Sequence, residues 1–521
     1  MSESALFDVD PVAAPEQPKT PVDKTFRPFE PDQILLLPPS LDEWLPDDHL
    51  ARFVAELVDH VLDLSGIYAD YTEARGYPPY DPRLMVRLLV YGYTTGMRSS
   101  RGIQRRCADD VGFRYLAAGQ TPDFRSIAKF RRRHLDALAG LFLQSLRLAT
   151  QMGLVKMGRV ALDGTRLRAN ASRHKAMSYD RLVEREPVLA AEVDRLRTLI
   201  AEMFADAEAT DLAEDARFGA DGRQGDLPGE LARRQTRLAK MRAAKHDLET
   251  EAADRARAAA QTRAQTRARD RHAGGGPHPD PTPGHGEHGE QDGGSGASGE
   301  LAVRAAGDPA AAAARPKPRA QRNFTDPESR IMKNADGAFV QAYNAQAVGD
   351  DAHQIIIAAD LDNCAADNPK LTPMLDLAQA NTGRAPRQAL ADAGYCSHAN
   401  LAAAAQRQTE HGTQTLIATG RLRHGEVPPV PRGRIPKDAT LTQRMARALR
   451  TKPGRAAYAR RKAIVEPVFG QISTCQDGKH LLLRGQDAAR AEWLLTCAGH
   501  NLRKALPSWA NGAVLLPVTA S

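Results

Sequence analysis

The 521-residue sequence predicts a mixed α/β sheet flanked by helices, interrupted by a helical insert and preceded by an all-α region. Three observations carry this. Beyond residue 155, short apolar runs such as VALDG, HQIIIAADL, QALAD and TQTLIATG alternate with stretches of helical period, the pattern of a sheet with helices packed on it. Before residue 155 the apolar spacing is helical throughout. Between the first two strands lies a long run of three- and four-residue steps, followed by a low-complexity stretch.

In chain order, residues 1–30 are rich in Pro, Asp and Glu and are expected to lack order. Residues 31–155 form the helical region. Leu84, Val86, Leu88, Leu89 and Tyr91 mark one helix, and SSRGIQRRCADDVGFRYLA gives further helical sequence. A long helix is expected from Thr121-Pro122-Asp123 to about Gly153. Its first turns carry Arg125, Lys129, Arg131, Arg132 and Arg133; a short helix, a turn and then a basic helix is compatible with a DNA-contacting helix-turn-helix. Residues 156–180 and 320–506 supply the sheet. Its first strand is Val160-Ala161-Leu162, ending on Asp163. Residues 181–272 read as an antiparallel helical hairpin, with Leu189, Val193, Leu196, Ile200 and Met203 on one arm and Leu231, Leu238, Met241 and Leu248 on the other. Residues 273–319 read as a disordered linker whose His278, His285 and His288 are solvated. Two strands then meet at Gly349-Asp350-Asp351, and a helix over 369–380 follows. Next come a strand over 388–391 ending on Asp392, a helix over 400–407, the strand TQTLIATG, and helices over 454–472 and 487–506.

The formal charge of +7 understates how unevenly charge is spread. Arg98 to Arg133 holds ten Lys/Arg against Asp109, Asp110 and Asp123, and Arg421 to Lys462 holds thirteen against Glu426 and Asp438. Such blocks suit a polyanion, because each neutralised phosphate releases counterions. There is no apolar run long enough for a membrane span and no signal-peptide pattern at the N-terminus, so a cytoplasmic protein is expected. The five scattered cysteines show no zinc or disulfide spacing.

Three acids occupy telling places. Asp163 ends the first strand, Asp392 ends the fourth, and Glu466 lies on the helix after the last. Strand ends gather at one rim of such a sheet, and three carboxylates there repel unless a cation sits among them. Hard oxygen ligands suit Mg²⁺ or Mn²⁺, and a pair of such ions can serve both the attacking and the leaving oxygen of a phosphodiester. Asp360 also ends a strand and competes with Asp392. Taken singly, each acid is an ordinary turn or surface residue.

The segments LDGTRLRANAS around Asp163, NFTDPESRIMK with AFVQAYNAQAV, LADAGYCSHANL around Asp392 and YARRKAIVEPVFGQI around Glu466 resemble, in this order, a bacterial insertion-sequence transposase of the DDE type. The stretch FRPFEPDQILLLPPSLDEWLPDDHLARFV through RSIAKFRRRH resembles the family's helical N-terminal DNA-binding domain. The resemblance implies a ribonuclease-H-like catalytic domain with Asp163, Asp392 and Glu466 as metal ligands holding two Mg²⁺ or Mn²⁺ ions. It implies double-stranded DNA, both element ends and target, as substrate, and a homo-oligomer assembled on it. It also implies hydrolysis at the element's end, then attack of the freed 3′-hydroxyl on target DNA. Relatives place Tyr, Arg, Glu and Lys at set spacings. Here Tyr458 and Arg461 keep the first interval, Lys462 rather than Arg461 has the family's distance to Glu466, and Tyr458, Lys462 and Glu466 share a helix face. Ser473 stands where the Lys is expected, with Lys479 or Arg484 as replacements. The insert also divides the first two strands, whereas some relatives interrupt the sheet just before the Glu helix. The alternatives are a non-catalytic DNA-binding protein of the same fold, or a metal-dependent nuclease without strand transfer.

Overall fold

Alternation along the first strand decides how the sheet is covered. Val160 and Leu162 enter the core on one face and Ala161 the core on the other, so Asp163 follows Ala161. The computed structural model describes residues 40–72, 79–172, 175–214, 227–273, 315–334, 336–420 and 429–518. The expected tail over 1–30, most of the linker over 273–319 with its three histidines, the break between the hairpin arms, and Arg421 and Arg423 lie outside the described residues.

Strand β1 spans Arg159–Arg168, with β4 at Arg330–Lys333, β5 at Phe339–Asp350, β6 at Ile356–Asp362, β7 at Gln388–Ala391 and β8 at Gln414–Ile417. The order is β6-β5-β1-β7-β8, and β4 extends the edge of β5 that β6 occupies. β5 is antiparallel to β1 and β6, whereas β7 runs parallel to β1 and to β8. The first strand is longer than expected. Asp163 does not end it, because Gly164 to Arg168 stay paired to β5. What ends at Leu162 is the ladder to β7, whose last pair is Leu162 with Ala391. Asp360 does not end β6 either; it pairs with Gln346 and its carboxylate meets Arg490 Nε at 2.7 Å.

The N-terminal helices are α1 (Leu50–Glu56), α2 (Ser65–Tyr68), α3 (Pro82–Thr95), α4 (Ser100–Asp109), α5 (Val111–Leu116), α6 (Phe124–Arg133) and α7 (Leu135–Gln151). Asp81 caps α3 ahead of Pro82, and Gly96, at φ +88°, closes it. The single long helix expected from Pro122 is two. The chain breaks at His134, whose ring nitrogens meet Asp70 Oδ2 (2.9 Å) and the Tyr71 hydroxyl (3.3 Å), contacts from a distant segment that local sequence does not announce.

In the C-terminal half, helices α10 (Leu371–Thr382), α11 (His398–His411), α12 (Leu441–Arg450), α13 (Lys452–Cys475) and α14 (Gln486–Ala510) cover the sheet. One core takes in Leu88 and Leu89 of α3, Leu146 of α7, Leu162 of β1, Leu375 of α10 and Leu502 of α14. A buried ion pair reinforces it: Arg98 Nη1 meets Glu492 Oε1 at 3.1 Å, and Glu492 Oε2 accepts from the Leu482 and Leu483 amides. The change near residue 155 is therefore a boundary in secondary structure and not in packing. The hairpin is present as α8 (Tyr179–Glu214) and α9 (Leu227–Ala273). Leu182, Val193, Leu238, Met241 and Leu248 are buried along it, and its base rests on the small sheet of β2 (Ala176–Ser178) and β3 (Gln321–Asn323). Among the described residues no helix is long and apolar enough to cross a membrane.

Candidate active site

Because β1 and β7 are parallel and in register to Leu162 and Ala391, the next residue on each is an aspartate. Asp163 follows Ala161 in facing α13. Leu390 belongs to that same α13-side core, and Asp392 follows it by the same two-residue period. Asp392 Oδ1 accepts from the Gly394 amide (2.8 Å) and so caps the turn Ala393–Tyr395. Asp163 Oδ1 accepts from the Gly164 amide (2.9 Å), and Oδ2 meets Arg461 Nη1 at 2.9 Å. Burial holds the Asp163 carboxyl above the usual carboxylate range; Arg461 opposes that shift and the Asp392 charge adds to it. Burial likewise works against the Arg461 charge, but Asp163, Tyr458 and Asp392 together outweigh it and keep the guanidinium protonated. Burial also raises the Tyr458 phenol, on which Arg461 and the two aspartates act in opposite senses.

Glu466 is not drawn to this pair. Ile464, Val465, Val468 and Ile472 bury one face of α13, and Arg461 falls on it. At 100° per residue Glu466 lies about 140° around the helix from Arg461, and both it and Lys462 are exposed. Arg461 thus takes the inward position and Lys462, which has the family's distance to Glu466, does not, because the apolar stripe orients the helix. Among the described residues no three His, Cys, Asp or Glu side chains converge closely enough to hold a metal ion. Asp163 and Asp392 alone nevertheless fit a hard divalent cation. They offer hard carboxylate oxygens on adjoining strands and on one side of the sheet, with Arg461 as the counter-charge Asp163 has here.

Of the basic residues expected on DNA, Arg125, Lys129, Arg132 and Arg133 are exposed on α6. Arg131 is a correction. It is buried and donates to the Tyr93 hydroxyl (3.2 Å), the Arg98 carbonyl (3.0 Å) and Ser100 Oγ (3.3 Å), so it braces the core and presents nothing to a phosphate. Ser473 is half-buried, while Lys479 and Arg484 are exposed, with Arg484 Nε donating to the Asn170 carbonyl at 2.9 Å. The described chain from 429 to 462 carries eleven Lys/Arg against Asp438 alone. Sequence reasoning missed the polar group behind the aspartates, formed by Arg166, Asn344, Gln346, Asp367 and Tyr395. Its one legible sign was Asn344 and Gln346, at alternate positions between the apolar residues Ala345, Ala347 and Val348 of β5.

Two family models match the chain. One, described as a transposase domain (DUF772), covers residues 39–133; the other, a transposase DDE domain, covers residues 434–506. Neither a curated protein nor a solved structure matches. The first match spans α1 to α6, and the second spans α12, α13 and most of α14, including Tyr458, Arg461 and Glu466. A chain with these two domains in this order is a transposase. Together the two matches support an insertion-sequence transposase of the DDE type, a family that generally uses divalent metal ions.

Proposed function

We propose that this transposase binds the ends of its element and catalyses cation-dependent DNA cleavage and strand transfer on a ribonuclease-H-like sheet. The observation that carries the reading is the pair Asp163 and Asp392, in register on adjoining parallel strands and facing α13. The strand order, with the antiparallel strands β5 and β6 on one side of β1 and the parallel strands β7 and β8 on the other, supports the fold assignment. Asp163 and Asp392 would hold Mg²⁺ or Mn²⁺; Glu466, turned outward on α13, enters the proposal as the third carboxylate through the family motif alone. The chemistry supplied there by a bound pair of such ions would be Lewis-acid stabilisation of the attacking and leaving oxygens. Arg461, fixed by Asp163, keeps positive charge at the rim where a phosphodiester would lie. The exposed bases of α6 and of the 429–462 stretch would neutralise flanking phosphates.

The test uses the full chain and a labelled duplex of the element's end. Asp163→Asn, Asp392→Asn and Glu466→Gln should each abolish Mg²⁺-dependent cleavage while end binding in Ca²⁺ persists. Asp360→Asn, whose partner is Arg490, should cleave normally. Full cleavage by any of the three would remove that residue from the site. Replacing Arg125, Lys129, Arg132 and Arg133 by Ala should weaken end binding and flatten its salt dependence by up to about one log–log unit for each phosphate no longer neutralised. Unchanged affinity and slope would remove α6 from the DNA surface.

A further inference from the structure

On the sheet face opposite α13, a single carboxylate ties the two aspartate-bearing strands together. Asp367 follows β6. Its Oδ1 accepts from Asn344 Nδ2 (2.9 Å), Gln346 Nε2 (2.9 Å) and Arg166 Nη1 (3.1 Å), and its Oδ2 accepts from Arg166 Nη2 (3.0 Å). Arg166 lies three residues beyond Asp163 on β1, and Gln346 pairs with Gly164. A Cβ on Gly164 would stand 3.0 Å from Asp367 Oδ1 and closer still to Gln346, so the backbone beside Asp163 is seated directly against this group. The other aspartate is reached from the same place. Buried Tyr395 donates its hydroxyl to Gln346 Oε1 and closes the turn that Asp392 caps. A Cβ on Gly394 would lie 3.0 Å from Asp392 Oδ1 and 3.5 Å from Asp367 Oδ2.

We infer that Asp367 is a positioning residue for the Asp163–Asp392 pair, fixing β1 through Arg166 and Gln346 and the Asp392 turn through Gln346 and Tyr395. With its carboxylate committed to four hydrogen bonds, Asp367 acts through its neighbours and not as a ligand. The inference rests on the cation-binding reading above. Hydrogen bonds that orient ligating side chains commonly set metal affinity within a factor of about 10–100.

The experiment is a Mn²⁺ titration of the full chain, read by electron paramagnetic resonance, beside the Mn²⁺ dependence of end cleavage. Asp367→Asn keeps the shape but loses the pairing with Arg166. It should weaken Mn²⁺ binding about tenfold and raise the Mn²⁺ requirement of cleavage equally, with saturating Mn²⁺ restoring most of the rate. Tyr395→Phe, which removes one hydroxyl, should shift both the same way by less, and it carries the test if Asp367→Asn does not fold. Native Mn²⁺ binding in both variants, with only the melting temperature changed, would reduce the group to a structural role and overturn the inference. Loss of binding in Asp367→Asn as complete as in Asp163→Asn would make Asp367 a ligand, which also overturns it. Native binding by Asp163→Asn itself would sink the cation-binding reading, and this inference with it. Loss in Asp163→Asn beside a native Asp367→Asn would sink this inference alone.

Discussion

The body formed by the N-terminal helices and the sheet, and the hairpin that interrupts it, are held together in different ways. In the body, helices from both ends of the sequence meet in one core around Tyr93, Leu89 and Leu502, and a buried ion pair reinforces it. In the hairpin, one narrow row from Leu182 to Leu248 is buried, and the arms are otherwise joined by exposed pairs such as Arg234 with Glu192 and Arg242 with Glu186. Exposed ion pairs contribute little, commonly under about 1 kcal/mol. The body should therefore unfold as one unit, and the hairpin should open before it does.

The strongest way to break that comparison is at the buried pair. Arg98→Met leaves Glu492, whose side chain is wholly buried, without its counter-charge. It should cost about 3–5 kcal/mol in urea denaturation of the whole body. A loss below about 1 kcal/mol would mean that the two ends of the chain are not joined through this pair.

A pH titration sharpens the contrast. His500, on α14, donates to the Gln354 carbonyl (2.9 Å), and burial pushes its ring down from 6.5 to about 4. Between those values the unfolded chain binds a proton that the folded chain refuses. Stability from this group is thus fully present above about pH 6.5 and lost as pH falls towards 4, by about 3 kcal/mol in all. His500→Gln should flatten the midpoint over that window. A native slope retained in the variant would assign the pH dependence elsewhere.

The smallest effect belongs to the hairpin. Val193→Ala removes two buried methyl groups, about 1.5 kcal/mol, from the seam alone. Proteolysis within residues 179–273 should accelerate while the urea midpoint of the body stays put. A matching fall in that midpoint would show that the hairpin and the body unfold together.

Local sequence carried most of the elements. The apolar runs at Val160–Leu162, Ile356–Ala359 and Gln388–Ala391 fall in strands, and the three- and four-residue steps of the insert fall in two long helices, because these periods are properties of neighbouring residues. Asp163 and Asp392 were legible as acids following buried strand residues, a pattern that needs no tertiary knowledge. Packing between distant segments decided the rest. β1 runs past Asp163 because β5, beyond the insert, offers it partners to Arg168. The helix after Asp123 breaks at His134 because Asp70 and Tyr71 hold that side chain. Arg131 is buried among Tyr93 and Ser100, although nothing local separates it from its exposed neighbours Arg132 and Arg133. Which of Arg461, Lys462 and Glu466 turns inward was likewise open in a string of charged residues. It was decided by the apolar stripe of α13 seating itself on the sheet, since a helix can bury only one face and every polar residue takes the direction that this face leaves it.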